Sequence, residues 1–445
     1  MFSKKIGTLP GTQRLNVKPT AIPVVMPNRR VPISVRPALK AELERLCKLE
    51  VIQPVSEPTP WVSQIVLAKK RNGDLRICID PKELNKVLLR EHYTLPILED
   101  ALHEMSASRV FSKADLSSGY WQVKLDKDSS LLTTFQTCYG RYRWLRLPFG
   151  TCASSEIFQR TLLEALEGLT GVICIADDVV IHGVTLEDHD RNLNDFLLRC
   201  QEKGIRLNSE KLELRMKEIT FMGHKITDKG LESDPEKVRA IGEMTPPRNL
   251  EELRRYLGLV NYLGKFLPHV TDSLQPLQNL LRKDVIWTWS TAQQKSFEDV
   301  KKLVTSAPIL AFYDPSKELT LENDASEYGL GSALFQEGRP IAFASRSLTS
   351  PERNYAQIEK EMLAVCFGLV KFHHYTYGRR VTVITDHKPL ESIVLKPLSK
   401  APKRLQSLLL HTQKYDYELL HKPGKSIPVA DAVSSPTTRQ ATNHD

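Results

Sequence analysis

The chain has 445 residues, which is too long for a single hydrophobic core, so two or more domains of about 100–200 residues are expected. Its composition, 41% hydrophobic and 26% charged, excludes a disordered or fibrous protein. The net charge of +9 favours a polyanionic partner without identifying one.

No segment approaches the roughly 20 apolar residues that span a bilayer, and the N-terminus lacks the apolar block of a signal peptide. We therefore expect no membrane partner and an intracellular protein, whether cytoplasmic or nuclear. The seven cysteines are scattered and lack zinc-ligand spacing. Neither a structural zinc site nor a disulfide framework is predicted.

The N-terminal half is predicted to alternate strands and helices. Residues 1–36, rich in proline and basic residues, are expected to be an arm laid over a domain or partly disordered. The stretch WVSQIVLAKKRNGDLRICID predicts two strands joined by an Asn-Gly turn. RVFSKADLSSG predicts a strand that ends in Asp115, and ASSEIFQRTLLEAL predicts a helix capped by Ser154 or Ser155.

The stretch GVICIADDVVIHG places Asp177 and Asp178 between two apolar runs. It predicts a hairpin with both aspartates in its turn, which brings at least one carboxylate to the rim of a buried sheet. An Asx-turn is the plain structural alternative. If Asp115 converges on the same rim, three oxygen ligands without His or Cys suit Mg²⁺ or Mn²⁺ and two-metal phosphoryl transfer.

From residue 231 the pattern becomes helical, and from 317 short β-type runs return, followed by a helix predicted over 354–375. A second α/β domain is therefore predicted in the C-terminal third.

Four acidic residues mark this second domain. Asp324 and Asp386 each end a predicted strand. Glu361 lies on the apolar face of the long helix, whereas Glu359 is rotated about 100° away and is expected to be solvated. Asp431 follows a short apolar run, where a helix cap is an alternative to a metal ligand.

The chain resembles the reverse transcriptase and ribonuclease H of LTR retrotransposons of the Ty3/gypsy class. The resemblance covers residues 15–436 and rests on motifs in the family's order. They are LRICIDPKELNK, FSKADLSSGYWQVKL, TTFQTCYGRYRWLRLPFGTCASSEIFQRTL, IADDVVIHG, FMGHKIT, LRRYLGLVNYLGKFLP, RNYAQIEKEMLAV, TDHKPL and KPGKSIPVADAVS.

The resemblance implies a multidomain chain of the α/β and α+β classes: a right-hand polymerase with fingers, palm and thumb, a connecting region, and a C-terminal ribonuclease H-like mixed-sheet domain. The palm is expected to be an antiparallel sheet backed by helices. The implied divisions are an arm over 1–36, fingers and palm over 37–230, a helical thumb and connecting region over 231–315, a ribonuclease H domain over 316–436 and a tail over 437–445.

For the polymerase, the resemblance implies that Asp115, Asp177 and Asp178 hold two metal ions, with Asp178 the least directly liganded. The implied nucleotide-binding residues are Lys69, Lys70, Arg76, Tyr120, Phe149 and Gly150. Tyr120 would stack under the sugar and exclude a 2′-hydroxyl, although a core aromatic is the alternative.

For the ribonuclease H, the resemblance implies a two-ion site made by Asp324, Glu361, Asp386 and Asp431. The basic residues Lys396, Lys400, Lys403 and Arg404 are either a contact to the hybrid backbone or a solvated face.

The predicted function is RNA-directed DNA synthesis combined with cleavage of RNA in RNA–DNA hybrids. Its predicted partners are an RNA template, a DNA primer, the hybrid and deoxynucleoside triphosphates, with Mg²⁺ as cofactor and Mn²⁺ as a substitute. Three residues depart from the commonest family pattern, namely Ile175, Asn323 and Ser435. A domesticated binding protein without catalysis is the alternative; a polymerase of the non-LTR or telomerase type fits less well because a ribonuclease H domain follows the connecting region.

Overall fold

The computed structural model describes residue 2 and residues 5–69, 73–395 and 397–423, without the side chain of Ser399. Three predicted residues, Lys70, Lys396 and Asp431, lie outside the described residues, as does Ser435. The chain divides into two compact units, Met1–Ile219 and Thr220–Asp445.

The first unit contains eleven labelled strands and six labelled helices within its described residues. The strands are β1 (Thr12–Gln13), β2 (Ile52–Pro54), β3 (Gln64–Lys69), β4 (Leu75–Asp80), β5 (Val110–Asp115), β6 (Lys124–Leu125), β7 (Phe135–Thr137), β8 (Gly140–Trp144), β9 (Val172–Ile175), β10 (Asp178–Gly183) and β11 (Glu213–Met216). The helices are α1 (Arg36–Lys48), α2 (Lys82–Val87), α3 (Leu98–Glu104), α4 (Lys127–Leu132), α5 (Ser154–Leu166) and α6 (Leu186–Glu202).

The central sheet of this unit has the strand order β11-β5-β10-β9, and every neighbouring pair in it is antiparallel. Val179, Val180 and Ile181 of β10 are fully buried. Helices α5 and α6 contribute Phe158, Leu162 and Phe196 to the same core as Val179 and Ile181, so this sheet has a helix-covered face. The antiparallel sheet predicted for the palm is confirmed.

Two smaller sheets and the arm complete the unit. Strands β2, β8 and β7 form one antiparallel sheet, and β3 pairs with β4. Their core contains Trp144, Phe135 and Ile77 together with Leu39 of α1. The arm is laid over the unit, because Leu9 and Leu15 are buried and β1 pairs in parallel with β6.

The second unit contains eight labelled strands and nine labelled helices within its described residues, counting β12, which begins two residues before the unit boundary. The strands are β12 (Glu218–Phe221), β13 (His224–Thr227), β14 (Gly230–Ser233), β15 (Thr320–Ala325), β16 (Gly329–Gln336), β17 (Arg339–Ser347), β18 (Arg380–Thr385) and β19 (Asp416–His421). The helices are α7 (Pro235–Glu243), α8 (Leu250–Tyr262), α9 (Val270–Asn279), α10 (Thr291–Thr305), α11 (Ser350–Arg353), α12 (Gln357–Lys371), α13 (His373–Thr376), α14 (Lys388–Val394) and α15 (Lys403–Thr412).

The main sheet of this unit has the strand order β17-β16-β15-β18-β19. Strand β15 is antiparallel to β16 and parallel to β18, and β18 is parallel to β19. Helix α12 packs Met362, Val365 and Leu369 into the core of this sheet. The mixed α/β sheet predicted for the C-terminal domain is confirmed.

Two local predictions are wrong. The helix predicted over 354–375 is interrupted, because Ala356 has an extended backbone before α12 begins and Phe372 ends that helix. Neither predicted serine caps α5; Ala153 is the N-cap residue, and the hydroxyl of Ser154 instead donates to the carbonyl of Pro148 at 2.7 Å.

In the described ranges, no helix combines the length and apolarity needed to cross a bilayer. The domain boundaries at 36, 230, 315 and 436 stay predictions.

Candidate active sites

The first carboxylate site is built on the hairpin β9–β10. Its two-residue turn consists of Ala176 and Asp177, since Ile175 pairs with Asp178. The prediction that both aspartates occupy the turn is therefore wrong for Asp178, which is the first residue of β10. Ala176 adopts a left-handed φ of 53°, a conformation that costs a non-glycine residue about 1 kcal/mol or more.

Gln159 of α5 holds this strained turn in place. Its side-chain oxygen accepts a hydrogen bond from the backbone N–H of Ala176 at 2.7 Å, and its amide nitrogen donates to the carbonyl of Cys174 at 3.0 Å. The side chain is buried, so these two bonds are shielded from water. Gln159 was not predicted from the sequence, where its only signal is a polar residue among the apolar positions of α5.

The three predicted carboxylates lie together at one end of the central sheet. Asp178 is the direct cross-strand partner of Asp115 at the end of β5. The backbone N–H of Leu116 donates to the carbonyl of Asp177 at 3.1 Å, which ties the turn to the residue after Asp115. The predicted convergence is therefore seen in the backbone, where all three residues lie at one end of the sheet.

Two lysines offset the negative charge of this cluster. Lys211 Nζ lies 2.8 Å from Asp115 Oδ2, and Lys113 Nζ lies 3.5 Å from Asp178 Oδ1. Asp115 and Lys211 are 96 residues apart, and Lys211 lies in a short turn ahead of β11. Lys211 was not predicted as a site residue, because nothing in its local sequence indicates such a distant partner.

Asp177 has the burial and the charge environment expected of a cation ligand. Burial, followed by the charges of Asp115 and Asp178, raises the pKa of Asp177 to about 6. Its Oδ1 is buried and has no hydrogen-bond partner among the described residues. An orphaned buried carboxylate oxygen beside two more carboxylates fits a divalent metal that prefers oxygen ligands.

An aromatic group borders the carboxylates. The ring of Tyr120 stacks on Phe149 with centroids 4.8 Å apart, and its hydroxyl lies 2.8 Å from Ser155 Oγ. A Cβ added at Gly119 would collide with Asp177 Oδ1 and the Phe158 ring. Glycine therefore lets the backbone before Tyr120 approach the carboxylate site.

The hairpin β3–β4 brings a cation to the same aromatic group. The guanidinium carbon of Arg76 is 5.1 Å from the centroid of the Phe149 ring. In the hairpin register Ala68 pairs with Arg76 and Lys69 pairs with Leu75. The side chains of Lys69 and Arg76 therefore project from opposite faces of the hairpin. Gly150 has a φ of 112°, and a Cβ added there would collide with the backbone carbonyl of Ile79. The nucleotide-binding roles of these residues stay predictions.

The second carboxylate site lies at the ends of two parallel strands. The register pairs Glu322 with Ile384, so Asp324 and Asp386 each stand two residues beyond a paired position. One ligand oxygen from each of Asp324, Glu361 and Asp386 lies within 4.8 Å of the others. These three residues belong to the predicted cluster of four, and Asp431, the fourth, lies outside the described residues.

Glu361 is the buried member of this cluster, with 3% of its surface exposed. Burial, followed by the charge of Asp386, raises the pKa of Glu361 to about 8. Gln357 donates to Glu361 Oε1 at 2.6 Å and to the carbonyl of Ala325 at 3.0 Å, which fixes α12 to the end of β15. Glu361 Oε2 is buried without a partner in the described residues, and this second orphaned oxygen also fits a divalent metal.

The predictions for Glu359 and for the basic residues near this cluster are revised. Glu359 is not solvated, because it accepts from Arg404 at 2.8 Å and from the backbone N–H of Ala356 at 3.0 Å. Arg404 also lies over the ring of Tyr355, so this member of the basic group is engaged within the protein. Lys400 and Lys403 are exposed.

Two protein families match the chain. The family described as reverse transcriptase (RNA-dependent DNA polymerase) matches residues 68–226. The family described as the RNase H-like domain found in reverse transcriptase matches residues 289–383. Each match contains carboxylates of one of the two sites.

Curated relatives cover most of the chain. The retrovirus-related Pol polyprotein from transposon opus of Drosophila melanogaster is 34% identical over 436 residues, covering 93% of this chain and 43% of the relative. The transposon Tf2-3 polyprotein of Schizosaccharomyces pombe is 32% identical over 381 residues, covering 83% of this chain and 28% of the relative. The chain spans less than half the length of either relative.

Solved structures show the same fold. A foamy viral protease-reverse transcriptase in complex with ds DNA matches 95% of this chain and 75% of its own with a TM-score of 0.84 at 23% identity. A foamy viral protease-reverse transcriptase in complex with RNA/DNA hybrid matches 99% of this chain and 60% of its own with a TM-score of 0.81 at 22% identity.

Proposed function

Because the chain belongs to the Pol polyproteins of LTR retrotransposons, in their reverse transcriptase and RNase H region, we propose that it copies RNA into DNA and cleaves the RNA of the resulting hybrid. The observation that carries the proposal is the position of Asp115, Asp177 and Asp178 at the same end of the central sheet, with a buried Oδ1 on Asp177 that has no hydrogen-bond partner among the described residues. An inert binding protein has no need to keep a buried, unpaired carboxylate, which costs stability.

In the proposed polymerase reaction, the primer 3′-hydroxyl oxygen bonds to the α-phosphorus of a deoxynucleoside triphosphate, and pyrophosphate leaves. Asp115, Asp177 and Asp178 would hold two Mg²⁺ ions, for which Mn²⁺ can substitute. The ions supply activation of the attacking hydroxyl and charge stabilisation for the leaving group. Arg76 would bind the triphosphate through its guanidinium, and Tyr120, packed on Phe149, would lie under the sugar and exclude a 2′-hydroxyl.

In the proposed ribonuclease H reaction, a water oxygen bonds to the phosphorus of an RNA phosphodiester and the ribose 3′-oxygen leaves. Asp324, Glu361 and Asp386 would hold the two ions, and Asp431 is proposed as the fourth ligand. Gln357 orients Glu361 through the hydrogen bond to Oε1, leaving Oε2 for the metal. Lys400 and Lys403 are proposed to contact the hybrid backbone.

The proposed partners are an RNA template, a DNA primer and the hybrid between them. This part of the proposal is supported by the fold shared with foamy viral enzymes in complex with ds DNA and with RNA/DNA hybrid. An intracellular location is proposed because all seven cysteines are free thiols, as in a reducing compartment.

The polymerase proposal is tested by extension of a labelled DNA primer on an RNA template with all four deoxynucleotides and Mg²⁺. Asp177→Asn removes a charged ligand while keeping its shape, so we expect extension to fall about a thousandfold or more. The matched control is Asp195→Asn, a change at an exposed carboxylate of α6, which should extend as wild type does. Equal extension by both variants would refute the assigned site.

The same mixture reports RNA cleavage when the template is labelled as well. Asp324→Asn should abolish cleavage and leave extension intact, and Asp284→Asn, at an exposed loop carboxylate, is its control. If wild type binds the hybrid but neither extends nor cleaves, the chain is a binding protein and the proposed catalysis is wrong.

A further inference from the structure

His269 reaches the second carboxylate site from the helical region that precedes it in sequence. It is the N-cap residue of α9, but its side chain does not cap that helix. Instead, Nδ1 lies 3.7 Å from Asp324 Oδ2. The backbone of His269 has a φ of 45° and a ψ of 29°, a left-handed conformation that is uncommon outside glycine and has to be held by its surroundings.

The strand opposite Asp324 leaves room for this imidazole. Gly331 of β16 is the direct cross-strand partner of Asp324. A Cβ added to Gly331 would lie 2.6 Å from Nδ1 and 2.8 Å from Cε1 of His269. Only glycine at this position allows the ring to lie this close to the strand, so His269 and Gly331 fit each other as a pair.

A second contact from the same helix holds the connection after Asp324. Asp272, in the first turn of α9, accepts a hydrogen bond of 2.7 Å from Ser326 Oγ. Ser326 also accepts from the backbone N–H of Gly329 at 2.8 Å. Two side chains of one helix end therefore contact the residues on either side of Ala325, where β15 ends.

We propose that the start of α9 is part of the ribonuclease H site, with His269 as a positioning residue for Asp324 and Asp272 as a positioning residue for the connection between β15 and β16. This inference rests on the proposed ribonuclease H function. His269 is not counted among the ligands, because the oxygens that lie within 4.8 Å of one another come from Asp324, Glu361 and Asp386.

Asp324 needs a positioning residue because it is held less firmly than Glu361. Glu361 is buried and held by Gln357, whereas 47% of the Asp324 side chain is exposed. A partly exposed carboxylate that faces two others can adopt rotamers that relieve their mutual repulsion, and those rotamers disrupt a shared metal site. A ring packed beside Asp324 restricts those rotamers, and groups that orient a ligand typically change metal affinity by about 10–100-fold.

The test uses the full chain carrying Asp115→Asn and Asp177→Asn, so that metal binding reports the second site alone. Mn²⁺ binding is measured by electron paramagnetic resonance, and cleavage of a labelled RNA–DNA hybrid is measured in parallel. His269→Ala is expected to weaken Mn²⁺ binding about tenfold and to slow cleavage, mainly through kcat. His411→Ala, at an exposed histidine of α15, is the matched control and should leave both readouts unchanged.

A second variant separates positioning from a simple loss of folding. Gly331→Ala adds a methyl group where the imidazole lies, so it should reproduce the defect by displacing the ring. In the double variant with His269→Ala that methyl group finds space, and the double variant should be no worse than His269→Ala alone. Additive defects, or a His269→Ala chain that matches its control in both readouts, would overturn the inference while the ribonuclease H proposal stands. If the parent chain neither binds Mn²⁺ nor cleaves the hybrid, the ribonuclease H proposal itself fails.

Discussion

Two acidic side chains with unequal burial give the two sites different proton affinities. The pKa of Asp177 is raised to about 6 and that of Glu361 to about 8, in both cases chiefly by burial. A metal ion binds the ionised carboxylate, so protons compete with it below these values. The proposed ribonuclease H site should therefore lose metal at a higher pH than the polymerase site.

This difference is measured by Mn²⁺ titration of two variants that each keep one site, Asp324→Asn and Asp177→Asn. From about pH 9 to pH 5.5, affinity should begin to fall below about pH 8 in the Asp177→Asn chain and below about pH 6 in the Asp324→Asn chain. Identical pH dependence in the two chains would show that burial does not set these proton affinities.

Glu361 should also destabilise the metal-free protein at neutral pH. A raised pKa means that the folded chain keeps a proton that the unfolded chain loses, so stability falls as pH rises from the ordinary value of 4.5 to about 8. Glu361→Gln removes this penalty and should stabilise the metal-free second unit by roughly 1–3 kcal/mol at pH 8.

The measurement is thermal unfolding in EDTA at several pH values, with Glu251→Gln, at an exposed position of α8, as control. The stabilisation by Glu361→Gln should vanish near pH 4, where both states of the wild type carry the proton. A stabilisation that is independent of pH would point to packing instead of ionisation.

At the scale of single residues, sequence identified the carboxylates because acids within apolar patterns are anomalous. Asp177 and Glu361 stand out in this way. Lys211 and Gln159 do not, because their significance comes from partners that are distant in sequence or from a backbone group. Such residues become visible only when the fold brings their partners together.

At the scale of elements, the hairpin β9–β10 depends on Gln159 of α5. Gln159→Leu keeps the approximate volume but removes both hydrogen bonds to the strained turn, leaving the N–H of Ala176 unpaired. We expect primer extension to fall about tenfold or more, since Asp177 belongs to that turn, while hybrid cleavage is unchanged.

The control for this prediction is Gln201→Leu on α6, where the glutamine is exposed. Extension by Gln159→Leu at the level of this control would mean that the turn holds its shape without the glutamine.

The existence of the elements could be predicted more reliably than their ends. Alternation and apolar runs predicted β5, β9, β10 and β18 because these strands are buried. Turn geometry and helix interruptions were less visible: Asp178 belongs to β10, and the predicted long helix is divided at Phe372. These ends are set by tertiary contacts such as the Gln159 bonds, which a local pattern does not record.

At the scale of the whole molecule, the two carboxylate sites lie in different compact units. The order of motifs in the sequence predicted this organisation, because each motif belongs to a contiguous stretch of chain. No sequence motif predicted the contact between His269 and Asp324, because these residues are 55 positions apart and their side chains meet only in the folded unit.

The central claim is that one chain holds two separate metal sites made of carboxylates. The most direct measurement is an anomalous difference map from crystals of the chain grown with an RNA–DNA hybrid and Mn²⁺. We expect peaks at Asp115 and Asp177 and further peaks among Asp324, Glu361 and Asp386. Clear density for these side chains without anomalous peaks at either site, or with peaks only elsewhere, would contradict it.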